Sequence, residues 1–389
     1  MTDLFGDSAV SWPLVKLDDV CQIIMGQAPE GDSYNELGNG LQLIAGAGDF
    51  GEMTPLPKKF TTSPSKISDI GDLILCIRAT IGDVNWSDKK YCLGRGVAGL
   101  RPKPTKLDKN YLWHFINTNK DSLASKGTGS TFKQVSSIHI KEWQIPLPPL
   151  AEQKRIAAIL DKADAIRRKR QQAIKLADEF LRSVFLDMFG DPVSNPKGWP
   201  CLKLESLVSK PITYGILKPE EFVPNGIPML RIQDLTQGII DTASEFHLVS
   251  EKLSCQYKRT ILEGGEIVIS LVGSIGIVAR VPYELHGANV HRNLGVIQLK
   301  DSSIAEYITS FMQLPQFMQI LERVSKGGVH KLLNLADVKE IEIPMPTLDV
   351  IEKYTEIKLH LKGLVTKCES AKKELIFESL SQKAFSGQL

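Results

Sequence analysis

The six cysteines of this 389-residue chain, Cys21, Cys76, Cys92, Cys201, Cys255 and Cys368, form no C-x-x-C pair and no Cys/His cluster. Neither a zinc site nor a disulfide framework is indicated. No apolar run comes near the ~20 residues needed to span a bilayer, and the start Met1-Thr2-Asp3-Leu4 lacks a basic stretch followed by an apolar one. A cytoplasmic protein with no membrane contact is expected. G-x-x-x-x-G-K-[ST] is missing, which argues against ATP hydrolysis by this chain. Also missing is the [DN]-P-P-[YF] motif of amino-methyltransferases: Leu147-Pro148-Pro149-Leu150 is apolar where an amide or acid would hold the target amino group. Carboxylates are plentiful, yet none combine into a metal-dependent nuclease site. A large charge of one sign is lacking too: the formal net charge is +2, short of the basic footprint usual for a nucleic-acid-binding domain. Charge must therefore be read locally, and binding rather than catalysis is the default.

What the chain does have is itself, twice. Trp12-Pro13-Leu14-Val15-Lys16-Leu17 returns as Trp199-Pro200-Cys201-Leu202-Lys203-Leu204. Gly71-Asp72-Leu73-Ile74-Leu75, then Ile81-Gly82-Asp83-Val84, returns at the same internal spacing as Gly265-Glu266-Ile267-Val268-Ile269, then Ile275-Gly276-Ile277-Val278. Each half closes on a proline-rich apolar segment, Ile145-Pro146-Leu147-Pro148-Pro149-Leu150 or Ile343-Pro344-Met345-Pro346-Thr347-Leu348, and launches a long polar helix. A repeat this long is a domain duplication, in keeping with a length that normally divides into two or more domains. The composition, 42% hydrophobic and 24% charged, is that of an ordinary globular protein.

Both modules read as mixed α/β. Ile74–Ile77 and Ile267–Ser270 are expected as buried strands, and Val97–Leu100 and Leu294–Ile297 as another. Asn110–Thr118 and Ile304–Met318 carry helical periodicity. In the first long helix the positions Ile156, Ile159, Ala163, Ile166, Arg170, Ala173, Ala177, Phe180 and Val184 alternate steps of three and four, the spacing of a coiled-coil seam. Val350, Tyr354, Ile357, Leu361, Leu364, Cys368, Ala371 and Leu375 do the same in the second. The simplest partner of each helix is the other, and chain order makes them antiparallel. A rod of about 38 residues is roughly 57 Å long. It is either a spacer between two readers on a duplex that repeats every ~34–36 Å, or a tethering or oligomerisation device. The run Arg167-Arg168-Lys169-Arg170 is either a solvated helix face or a contact for phosphate or an acidic partner.

Loops rich in Gly, Asp and Ser separate the strands, the usual place for binding residues. Candidates for DNA contact are Arg78, Arg95, Ser130, Thr131 and Lys133 in the first module, and Arg231, Gln233, His291, Arg292, Asn293, His330 and Lys331 in the second. Arginine can chelate guanine O6/N7, Asn or Gln can pair with adenine, and Lys, Ser or a loop N–H can hold phosphate. His291 and His330 equally read as satisfied loop histidines, and neither as a catalyst. Gly46-Ala47-Gly48-Asp49-Phe50-Gly51 reads as a turn, with Arg231-Ile232-Gln233-Asp234-Leu235 as its glycine-free counterpart.

The segment Ile145–Leu160, which contains Leu150-Ala151-Glu152-Gln153-Lys154-Arg155-Ile156, its helix closing at Phe185-Leu186-Asp187-Met188-Phe189-Gly190, and the C-terminal Ser379–Leu389 together resemble type I restriction-modification specificity subunits. The resemblance covers the whole chain. It implies target-recognition domains at 1–147 and 191–345 and long antiparallel helices at 148–190 and 346–389, paired as a coiled coil with pseudo-two-fold symmetry. It further implies a non-catalytic subunit that reads an asymmetric, bipartite double-stranded DNA target and recruits two modification (methyltransferase) subunits and restriction/translocase subunits. No cofactor is expected on this chain; S-adenosylmethionine, ATP and Mg would belong to those partners. The competing readings are a self-sufficient methyltransferase or nuclease, which would modify DNA alone, and a coiled-coil adaptor, which would bind no DNA with or without partners.

Overall fold

The computed structural model describes residues 12–128, 133–219, 222–236, 238–324, 332–369 and 372–389. The chain divides into two compact units, residues 1–171 with 369–389 and residues 172–368. Among the described residues no helix is long and apolar enough to cross a membrane.

The units repeat one topology. In the first, an antiparallel sheet runs in the order Cys21–Met25, Val97–Pro102, Leu73–Cys76, Val84–Trp86. In the second the order is Thr213–Tyr214, Leu294–Ile297, Ile267–Ser270, Val278–Arg280. Leu73–Cys76 and Ile267–Ser270 are buried at every position, as the apolar runs Leu73–Cys76 and Ile267–Ile269 of interior strands require, and the buried Ser270 hydroxyl accepts from the Ile277 N–H at 2.8 Å. A second small sheet holds one parallel pair in each unit, Leu41–Ile44 with Cys92–Leu93 and Ile227–Leu230 with Asn289–Val290.

The two ends of each module are sewn together. Leu14–Lys16 pairs antiparallel with Gln144–Pro146, and Cys201–Lys203 pairs in the same register with Glu342–Pro344. The Lys109–Ser125 helix is capped by Asp108, whose carboxylate accepts from the Asn110 and Tyr111 N–H groups. Its Tyr111 hydroxyl donates to the Pro146 carbonyl at 2.8 Å, and Tyr307 does the same to Pro344 in the second unit. The expected helix over Ile304–Met318 is two helices, Ala305–Gln313 and Phe317–Val324. Pro315, which has no N–H to donate, falls between them.

The central helix spans Leu150–Phe189, 40 residues, or ~60 Å at ~1.5 Å per residue. The buried Gln153 clips its start: its amide nitrogen donates to Lys106 and Pro148 carbonyls, both at 2.9 Å, and its oxygen accepts from Asp108 N–H at 2.8 Å. Its end is set by Gly190 at φ 83°, the left-handed geometry of a helix terminus, where a Cβ would lie 2.8 Å from Pro196. Lys197 neutralises the last carbonyls, donating to Met188 at 2.9 Å. The C-terminal segment is described as Leu348–Glu369 and Lys372–Ser386.

Among the residues whose side chains are described, the expected 3–4 seam is buried toward the ends of these helices; Cys368, Ala371 and Leu375 lie outside those residues. Ile156, Ala157 and Leu160 are buried in the first unit's core with Ala384, and Phe185 and Phe189 in the second unit's core with Ile351 and Tyr354. Ile166 and Phe180 are 50% and 53% exposed, and Leu364 48%. Each unit covers the helix turns that pack on its own core, and covers them on a face wider than a two-residue seam. The start of the central helix meets the end of the C-terminal segment in the first unit, where Arg155 donates to the Leu389 carbonyl at 2.9 Å. Its end meets the first turns of Leu348–Glu369 in the second, as chain order demands. There Lys358 is fastened to the Ala305–Gln313 helix by Glu306 and Ser310, each at 2.8 Å, and Arg280 closes the cluster on Glu306. Burial opposes ionisation of Glu306, but Lys358 and Arg280 outweigh it and hold the carboxyl below its ordinary range.

Candidate nucleic-acid interface

In the first unit the strand Leu73–Cys76 runs out into Ile77-Arg78-Ala79-Thr80, and the short strand Cys92–Leu93 into Gly94-Arg95-Gly96. The Gly94 N–H donates to Ile44 O at 2.8 Å and the Ile77 N–H to Gly96 O at 2.9 Å. Only glycine fits on both sides of Arg95: a Cβ at Gly94 would stand 2.9 Å from Ile44 O, and one at Gly96 2.1 Å from Ala45 O. The loop is pressed flat against the neighbouring strand, and Arg95 is left exposed. Arg78 and Arg95 line one cleft of about 650 Å³ with Tyr34, Thr80 and the Gly46–Gly48 turn, and no carboxylate is among its lining residues.

The second unit makes the same loop from other residues. His291 N–H donates to Leu230 O and Leu271 N–H to Asn293 O, both at 2.8 Å, so His291-Arg292-Asn293 occupies the place of Gly94-Arg95-Gly96. The two arginines thus correspond. Arg292 is exposed and donates weakly to Leu217 O at 3.4 Å. Leu217 lines a cleft of about 620 Å³ that also holds Tyr257, Lys258 and Arg259 and again no carboxylate.

The remaining candidates differ in what holds them. Arg231 is committed locally, its guanidinium on the Asp234 carboxylate at 3.2 and 3.3 Å. Gln233 is exposed on the Ile232–Asp234 turn, the counterpart of the Ala47–Asp49 turn; both expected turns are single 3-10 turns. Lys133 is exposed beside Gln134, which pairs backbone to backbone with Thr128. Ser130, Thr131, His330 and Lys331 lie outside the described residues. Of the basic run in the central helix, Arg167 and Arg168 are ion-paired with Asp164 at 2.7 and 2.9 Å. The residues that sequence reading missed are Thr80, Gln134, Lys258 and Arg259. The first two reach the site only through the fold, and the last two sit in a helical turn that carries no repeat signal.

His291 is half-buried, and burial together with the nearby Arg292, Arg231 and His247 holds it below its ordinary value of 6.5. It is a neutral imidazole at pH 7, able to donate and accept at once. The sign of its linkage follows. The folded unit refuses a proton that the unfolded chain takes up, so this contribution is fully present above 6.5 and is lost as pH falls below it. His291→Gln is expected to flatten the loss of stability between about pH 7 and about pH 5, read by urea unfolding. An unchanged slope would remove His291 from the account.

Among the described residues no group of three or more His, Cys, Asp or Glu is placed to hold a metal ion. The family described as type I restriction modification DNA specificity domain matches the chain twice, over residues 9–176 and 196–363. The chain is 34% identical to a protein of Methanocaldococcus jannaschii named as the type I restriction enzyme MjaX specificity subunit, over 46% of this chain and 44% of that one, so the match spans about half of each. It is 23% identical to the Escherichia coli type I restriction enzyme EcoBI specificity subunit over 97% of this chain and 86% of that one. The fold matches the crystal structure of the S subunit of a type I restriction-modification system from M. genitalium at a TM-score of 0.61 and 16% identity, covering 98% of each chain. With two copies of the family's domain filling most of its length, the chain belongs to the specificity subunits of type I restriction-modification systems, the non-catalytic members of those complexes.

Proposed function

We propose that each unit reads one half of an interrupted, asymmetric DNA target. The recognition domains are residues 1–147 and 191–345, and the helices at 148–190 and 346–389 set the gap between half-sites. Specificity subunits act with other restriction-modification subunits and DNA. On this reading the chain recruits two modification subunits, and restriction subunits join the larger complex in the cytoplasm. Those partners supply S-adenosylmethionine-dependent adenine methylation and ATP-driven translocation with cleavage. The observation that carries the reading is the cationic loop built twice. Arg95 and Arg292 emerge from the same backbone hydrogen bonds; Arg95 lines an acid-free cleft, Arg292 donates to Leu217 of another acid-free cleft, and the side chains around the two differ. Matched arginines hold phosphate or a base edge in both copies, and unmatched neighbours give two half-sites of different sequence.

The test is a genome-wide map of methylated adenines in the host cell, with the gene intact and with it deleted, while the modification subunit is expressed throughout. Loss of methylation at one interrupted, asymmetric motif is expected. An unchanged map would overturn the reading.

A further inference from the structure

We propose that Arg78, held by Gln134, reads a guanine in the half-site of the first unit, and that Val272 with Leu332 presents an apolar contact to a thymine methyl at the corresponding place in the second. This rests on the reading of each unit as a half-site reader and adds the base chemistry of one matched position.

Arg78 and Val272 correspond by register. Leu75 pairs with Val84 and Ala98, and Ile269 pairs with Val278 and Gly295. Arg78 stands as far beyond Leu75 as Val272 beyond Ile269. The next residue takes the left-handed conformation in both copies, Ala79 at φ 55° and Gly273 at φ 79°. A non-glycine residue pays strain there, so the turn that aims Arg78 is imposed by its surroundings. The buried Cys76 is one of them, its thiol donating to the Arg78 carbonyl at 2.9 Å. The residue facing each position across an isolated antiparallel bridge corresponds as well: Gln134 opposite Arg78, and Leu332 opposite Val272.

The side chains of the two bridges are opposite in chemistry. In the first unit Arg78 Nε donates to Gln134 Oε1 at 2.9 Å. That bond fixes the guanidinium plane and leaves the Nη1 and Nη2 groups as a fork pointing away from Gln134. A fork so prepared matches the O6/N7 edge of guanine; it also fits two phosphate oxygens, and the experiment below separates the two. In the second unit the bridge is apolar, with Leu332 50% exposed and Val272 half-buried. It offers no donor or acceptor to a base edge and suits the one apolar group of the major groove, the thymine methyl.

The experiment is the methylated-adenine map repeated in cells carrying the whole complex with Arg78→Lys, Gln134→Leu or Val272→Ala. A bidentate contact gives a preference of roughly five- to 150-fold for the right base. Arg78→Lys is expected to erase that preference at one guanine of one half-site and to leave the other half-site intact. Gln134→Leu should weaken it at the same position, and Val272→Ala should relax a thymine in the other half. A uniform drop in methylation over an unchanged motif would make Arg78 a phosphate contact and overturn the proposal. An unchanged map, or relaxation in both half-sites at once, would overturn it too. Each of these leaves a wild-type motif that depends on this chain. If the wild-type motif itself does not depend on the chain, the half-site reading fails as well. Arg78 is exposed, so its replacement spares the core, and retention of the second half-site reports that the variant folds.

Discussion

Replacing residues 1–147 with the corresponding segment of another specificity subunit changes one half of the methylated motif and leaves the other half as it was. The expectation rests on where the cores lie. Leu17, Leu73, Leu75, Leu100, Tyr111 and Leu112 belong to one cluster, and Leu204, Ile267, Ile269, Ile297, Tyr307 and Ile308 to another. A junction after Leu147 keeps the antiparallel pair Leu14–Lys16 with Gln144–Pro146 inside the donor, along with the Tyr111–Pro146 bond. Some contacts do cross the junction. Gln153 reaches back to Lys106 and Asp108, His114 meets Asp161 at 2.7 Å, and Phe385 packs on Tyr111 and Phe115. A donor that keeps those side-chain types is required. Each mismatched base pair costs about 1–3 kcal/mol, so a changed half-site of three or more bases redirects methylation almost completely. The methylated-adenine map reads the result, and a simultaneous change in both halves would sink the modular reading.

Phe189→Ala is expected to destabilise the second unit by about 3–5 kcal/mol. Phe189 is 3% exposed and meets three other rings, Phe185 at 4.7 Å, Tyr307 at 4.8 Å and Tyr354 at 5.3 Å, while Phe185 stacks on Tyr307 at 5.5 Å. The four rings come from the central helix, the Ala305–Gln313 helix and the C-terminal segment, so a cavity there loosens all three together. Against a typical domain stability of about 5–15 kcal/mol the loss is large, and it corresponds to a fall in Tm of roughly 6–20 °C for a unit of this size. Calorimetry of the full chain should show the second unit's transition falling while the first stays in place. A shift smaller than about 1 kcal/mol would mean that the helix ends are held by something other than this cluster.

The recurrence of Trp-Pro, of the Ile-Gly pair and of the proline-rich helix start was visible in the chain, and both units carry the same strands at those places. Buried strands announced themselves as apolar runs, and the helix limits as Pro149 and Gly190. What could not be read was pairing across long separations. Gln134 stands 56 residues from Arg78 in the chain, and Gln153 reaches Lys106 across 47. The Arg280–Glu306–Lys358 cluster gathers residues from a strand and two helices. The apolar side of each long helix was legible from its 3–4 spacing, while which turns are buried depends on which core covers them.

The sequence by itself determined the duplication, the buried strands, the limits of the central helix and the family, because these follow from local chemistry and from spacing along the chain. Tertiary structure decided that Gly94-Arg95-Gly96 and His291-Arg292-Asn293 are one loop made twice, and that Arg78 and Val272 stand at one place with opposite chemistry. Those facts depend on strand register and on which carbonyl each loop N–H finds, and register is fixed only when the cores close.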